Sequence, residues 1–210
     1  MKRREFAIAL GATSVLARPA WAASEPVEDK DFTRLPQPIP VALAGKVEVI
    51  EFFGYWCPHC ATFEPKLDAW ARALPADVNF RRVPVGWQDA QEPYQRMYFA
   101  LEALGLLDTL HAKVFQAVQV DRLRLKKDAD FLAFATTHGL DGAKLVAAAN
   151  SAAVSARVRA ANQLVTSYRV DGVPTLAVHG RFMTSPAMAG SAERALQVVD
   201  ALIRQARTTK

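Results

Sequence analysis

The chain of 210 residues holds two cysteines, and they sit in one short stretch, FFGYWCPHCATFEP, running from Phe52 to Pro65. Cys57 and Cys60 are separated by Pro58 and His59. Three chemistries compete for such a pair. As a structural cross-link it is weak, because it closes so short a loop that it restrains little of the unfolded chain. As a zinc site it lacks partners. Two more ligands are needed at plausible spacing, and His111, His138 and His179 stand apart from one another. Each of the three reads as an ordinary surface or core histidine. A redox dithiol accounts for the spacing directly.

The neighbours of the pair suit that chemistry. Cys57 falls where a strand ends and a helix begins. Pro58 is pre-set for the first helical position. A helix N-terminus presents unpaired N–H groups and partial positive charge, which favour a thiolate over a thiol. His59 adds a donor or a positive charge. These two residues therefore tune the acidity of Cys57. Cys60 lies one turn further on and is expected to be less exposed, placed to attack a mixed disulfide at Cys57.

The elements that hold this junction can be read outward from it. KVEVIEFF, Lys46 to Phe53, is a short β-branched and aromatic run ended by Gly54, a buried strand. From Cys57 to Leu74 the apolar residues Phe63, Leu67, Trp70, Ala71 and Leu74 recur at helical spacing, with Pro65 expected to kink the helix. Val78 to Val85 reads as a second strand after the turn Pro75-Ala76-Asp77. A long helical region follows. Its first stripe, Tyr94 to Leu104, stops at Gly105, and a third stops at Gly139. Asp141 is a candidate cap for a fourth helix, and Ser151 to Tyr168 forms a fifth. Strand signals return at Thr175–Val178 and Arg181–Thr184 around a His179-Gly180 turn, before a last amphipathic helix from about Ser191 to Arg207. Upstream, the proline-rich stretch from Ser24 to Val41 has room for one short edge strand near Asp31–Leu35.

The first 22 residues read as an export leader. Lys2, Arg3 and Arg4 precede an apolar run from Ala7 to Ala17, and Ala20-Trp21-Ala22 fits a small-x-small cleavage pattern, with processing after Ala22 or one residue later. Arg3-Arg4-Glu5-Phe6 also resembles a twin-arginine signal, so the general secretory and twin-arginine routes both stay open. The leader carries three of the five net positive charges, which leaves a mature chain near +2. The basic run Arg122 to Lys127 is then a solvated face, and no nucleic-acid partner is expected. An exported protein lives where disulfides persist.

CPHC, preceded by EFFGYW and followed far downstream by GVPT, resembles the DsbA family of periplasmic thiol:disulfide oxidases over about Lys30 to Arg207. The resemblance implies an α/β thioredoxin-like fold with an inserted all-helical domain. The divisions are a signal peptide at 1–22, a first thioredoxin-like part at 24–88, a helical insert at 89–162 and a second part at 163–210. It implies that Cys57 is the exposed nucleophile and Cys60 the resolving thiol. Val173-Pro174 stands at the place of a cis-proline that faces the pair. A cis bond there turns the Val173 backbone outward beside Cys57, to pair with an extended substrate segment next to Trp56. Glu51 matches a buried glutamate six residues before Cys57. Its usual lysine partner is replaced by Arg82, which cannot trade protons at ordinary pH. A proton relay then falls on Glu51 and water alone.

The activity implied is disulfide donation. The Cys57–Cys60 disulfide passes by thiol–disulfide exchange to unfolded or reduced exported proteins in the periplasm. Reoxidation comes from a membrane, quinone-linked partner of the DsbB kind, and the enzyme is a monomer without a cofactor. A related isomerase or reductase is the alternative. A chaperone-like module, binding unfolded chains on an aromatic surface of Phe53, Tyr55 and Trp56, is a third reading of another class. Phe53 itself reads as core, and Trp56 as partly exposed.

Overall fold

The computed structural model describes residues 24–208. The leader, with Arg3-Arg4 and Ala20-Trp21-Ala22, lies outside them. Strand β1 spans Thr33–Arg34, β2 Val47–Phe53, β3 Val78–Pro84, β4 Thr175–Val178 and β5 Phe182–Thr184, in the sheet order β1-β5-β4-β2-β3. β2 and β3 are parallel, so a crossover must join them. Helix α1, Pro58–Arg72, is that crossover, and it starts at the end of β2. The β2 pairing with β4 is antiparallel, as are β4 with β5 and β5 with β1.

All seven residues of β2 are buried, which explains its unbroken apolar and aromatic run. The strand's period of two divides them between layers. Val47 and Val49 pack with Phe63 and Leu67 of α1 and with Val198, Val199 and Leu202 of helix α8, Ala192–Thr208. Ile50 and Phe52 belong to the larger core beneath the helices that follow β3. Each such large side chain contributes about 1.5–3 kcal/mol by burial.

Those helices are α2 (Glu92–Ala103), α3 (Leu107–Gln119), α4 (Asp128–Thr137), α5 (Gly142–Ala149) and α6 (Ala152–Ser167). Their limits follow the local signals. Gly105 and Gly139 take positive φ of 69° and 67° just beyond α2 and α4. Asp141 caps α5 by accepting from Lys144 N at 3.0 Å, and Ser151 caps α6 through Val154 N. Pro65 lies inside α1 without ending it. The short helix α7, Pro186–Ala189, was not expected. It is held by Ser185 accepting from Met188 N.

Candidate active site

The site is built where β2 gives way to α1. Cys57 occupies the N-cap position with extended backbone (φ −92°, ψ 118°), and Pro58 follows at the first helical position. Trp56 folds back over Gly54 and donates its indole N–H to the Val85 carbonyl at 3.2 Å. A Cβ on residue 54 would come within 2.5 Å of that ring, so the close approach requires glycine.

The Val173–Pro174 bond is cis, as the sequence suggested, and it brings the Val173 carbonyl 3.4 Å from Cys57 Sγ. One expectation needs correction here. Cys57 is not an exposed thiol: it is 5% exposed, because Val173 lies over the sulfur. Cys60 is fully buried, as its position one turn into α1 requires. Beside the pair runs a groove of about 560 Å³ lined by His59, Phe63, Lys66, Val173, Pro174 and Pro186.

Both sulfurs are free thiols, and their environments pull them apart. The Cys60 thiol hydrogen-bonds Cys57, burial opposes ionisation, and the backbone N–H groups of Cys60 and His59 with the His59 charge assist it. The net effect lowers Cys57 to about 6. Burial, the Cys57 sulfur and the Glu51 charge push Cys60 far above the ordinary thiol range.

Glu51 is fully buried on β2, directly opposite Arg82 of β3. Arg82 Nε donates to Glu51 Oε2 at 3.1 Å, and its NH2 group donates to Glu64 Oε1 at 2.7 Å. Asp68 adds a third carboxylate at 3.8 Å. The guanidinium fork can serve several carboxylates at once, which an ammonium does less well. One cation for two buried carboxylates leaves an excess of negative charge. Burial first, and then Glu64, push the Glu51 carboxyl up to about 8 against the pull of Arg82.

The surroundings of Glu51 also revise the expectation that only Glu51 and water could exchange protons here. Glu64 sits four residues after Cys60 on the same face of α1, so helical spacing alone could have flagged it. His111, read from the sequence as an ordinary histidine, reaches the same place from α3. Its Nδ1 lies 2.7 Å from the Tyr55 hydroxyl, and its Nε2 lies 3.4 Å from Glu64 Oε2. Burial lowers the His111 pKa, while Glu64 pulls the other way. No local pattern could have revealed this contact.

The aromatic surface suggested for a chaperone-like module does not exist. Phe53 is core, as read, but Tyr55 is buried too, both against His111 and Phe115 of α3. Trp56 alone is half-exposed, edge-on to the exposed Trp87 at 5.7 Å.

A mixed sheet with a CPHC motif at the start of its crossover helix, faced by a cis-proline, defines a thioredoxin-fold thiol:disulfide oxidoreductase. Here the fold is interrupted by helices between β3 and β4. Residues 76–201 match the DSBA-like thioredoxin domain family, and residues 39–95 match thioredoxin. The thiol:disulfide interchange protein DsbA of Bordetella pertussis is 40% identical over 96% of this chain and 94% of its own. That of Burkholderia cepacia is 39% identical over 97% and 95%. The crystal structure of Pseudomonas aeruginosa DsbA superposes with a TM-score of 0.84 at 34% identity, covering 88% of this chain and 96% of that one. The chain belongs to the DsbA family.

Proposed function

We propose that this enzyme works in the oxidising direction, as a periplasmic donor of disulfides to newly exported proteins. The observation that carries the direction is the contrast between the two sulfurs. A thiolate favoured at Cys57 exists only in the dithiol form, so it stabilises that form and makes the disulfide a better oxidant. With Cys57 at about 6, the gain at pH 7 is at most about 1.4 kcal/mol, or about 30 mV for two electrons.

The residues take the following roles. A substrate thiolate attacks Cys57 Sγ of the Cys57–Cys60 disulfide. That bond breaks, and Cys60 leaves with the electron pair and takes a proton from Glu51. A second substrate thiolate attacks the substrate sulfur of the mixed disulfide, forming the substrate disulfide. Cys57 leaves as the thiolate that His59 and the helix start at Pro58 favour. The substrate segment lies in the groove with its backbone against Val173 and Pro174 and its side chains near Trp56. A membrane, quinone-linked partner of the DsbB kind then takes the two electrons and restores the disulfide. Export to that compartment uses the leader at residues 1–22.

Equilibration with reduced and oxidised glutathione tests the direction. A couple well above the glutathione potential is expected. A couple well below it would make the protein a reductase instead.

A further inference from the structure

The groove beside Cys57 is apolar along most of its length, but one wall ends in a charge. Helix α1 forms that wall. His59, Phe63 and Lys66 recur on it at helical spacing, so they stand in a row along one face. Helix α7 and the start of α8 form the opposite wall, through Pro186 and Ala192. From residue 57 to residue 66 the helix advances about 14 Å, and helical side chains lean back toward the N-terminus. An extended segment advances about 3.3 Å per residue. A segment joined to Cys57 and lying in the groove therefore brings to Lys66 a side chain about three or four residues from its reacting cysteine.

The Lys66 ammonium reaches across to α8 and donates to the carboxylate of Glu193, and both side chains are more than half exposed. The two partners are not equally held. Glu193 stands in the first turn of α8, whose start Ser191 caps by accepting from Arg194 N at 3.0 Å. Unpaired N–H groups and partial positive charge at such a start favour a carboxylate. Lys66 first, then the backbone N–H of Glu193 itself and the Ser191 hydroxyl, hold the carboxyl below its ordinary pKa. Glu193 thus keeps favourable partners when Lys66 departs. Lys66 has no such reserve: among the described residues, Glu193 is its one ion-pair partner. The other charged groups of the groove, His59 and Asp171, come from residues beside Cys57 and Val173, at its near end.

We propose that Lys66 is a specificity-determining residue, which leaves Glu193 to pair with an aspartate or glutamate about three or four residues from the reacting cysteine of the substrate segment. This rests on the groove holding that segment, as proposed above. The swap exchanges one carboxylate for another at the ammonium, so Lys66 stays paired throughout. Glu193 stays compensated by the helix start. A basic side chain has no equivalent route. To reach Glu193 it must displace Lys66 and leave that ammonium without an anion. Exposed ion pairs are weak, so the selection is a graded preference among segments and not a gate. Lys66 acts on how the segment is held and takes no part in the exchange of sulfur.

The test uses the full mature protein with Cys60→Ala, carrying glutathione on Cys57 as a mixed disulfide. Short peptides with a single cysteine displace the glutathione, and the exchange constant is read by separating the two mixed disulfides. The peptides carry Glu, Gln or Lys about four residues before or after the cysteine. At low salt the Glu peptide should be held about two- to fivefold better than the Gln peptide, at whichever placement enters the groove, and the Lys peptide worse. Added salt should shrink the difference. With Lys66→Met the Glu advantage should vanish, which also removes any effect of the charge on the peptide's own thiol. With Glu193→Gln it should grow, because no protein carboxylate then competes for Lys66. Equal constants at both placements, an unchanged Glu advantage in Lys66→Met, or a preference for Lys overturns the assignment. N-acetylcysteine amide separates the two levels. If the Gln peptide is held no better than that small thiol, the groove reading falls as well. If it is held better while charge makes no difference, only the role of Lys66 falls.

Discussion

Strand β2 buries two glutamates three residues apart, and each meets an arginine of β3. Glu48 is 1% exposed and accepts from Arg81 at 3.0 Å; Glu51 is 0% exposed and accepts from Arg82 at 3.1 Å. The two pairs look alike and differ in what surrounds them. Glu48 also accepts from the Ala42 backbone N–H, and its arginine side chain is 31% exposed. That is one buried carboxylate with a backbone donor and its own cation, and the cation reaches water. Glu51 shares an arginine of 16% exposure with Glu64, and its charge acts on Cys60. The first arrangement ties an edge of the sheet together. The second leaves a carboxyl short of positive charge, and such a group can hold and release a proton near neutral pH. At Glu51 burial acts first, and competition for the arginine adds to it.

The largest effect that separates the pairs should come from the cations. Arg82→Met strands two buried carboxylates and is expected to cost about 3–5 kcal/mol. Arg81→Met removes a partly solvated partner and is expected to cost no more than about 1–3 kcal/mol. Denaturant midpoints of the two variants measure the difference, and equal losses would erase the distinction drawn here.

Next in size is the carboxylate itself. Glu51 is held up to about 8 from an ordinary value of 4.5. Between those values the folded protein keeps a proton that the unfolded chain has released. Glu51 therefore lowers stability increasingly as pH rises through that window. Glu51→Gln should stabilise the protein by an amount that is small at the acid end and grows toward pH 8, while slowing the steps that involve Cys60. Glu48→Gln should leave those steps at the wild-type rate. A slowed Cys60 step in Glu48→Gln would show that both pairs reach the thiols.

The nucleophile contributes less. Cys57 is lowered from 9.0 to about 6, so the dithiol form gains stability that is complete above the unfolded value and lost as pH falls through about 6. At pH 7 the gain over the disulfide form from this thiol is at most about 1.4 kcal/mol, and solvent screening reduces it. Paired unfolding curves of both redox forms from pH 8 to 5 should show the difference from Cys57 shrinking. The smallest effect is expected from His59→Leu. The His59 charge acts on Cys57 more weakly than the Cys60 thiol, burial or the backbone N–H groups, so the variant should raise the thiol pKa by the equivalent of under about 1 kcal/mol. A titration curve that does not move would leave the helix N-terminus and Cys60 as the agents.

What the sequence by itself determined is what short stretches of chain decide. The spacing of Cys57 and Cys60, the proline between them and the strand before them place one sulfur at a helix start and the other a turn inside. The glycine stops, the Asp141 cap and the strand periods are equally local, so they were legible residue by residue. Tertiary structure alone decided which groups share a charge. Cys57 is covered by a carbonyl 116 residues away, and Tyr55 meets His111 across 56 residues. The four-residue helix α7 is shorter than any periodic signal. Arg82 was found from the sequence as the partner of Glu51, but its second carboxylate was not, and that second carboxylate adds to the effect of burial on the first. An electrostatic balance depends on distances in space among β2, β3, α1 and α3, and those distances come only from how these elements pack.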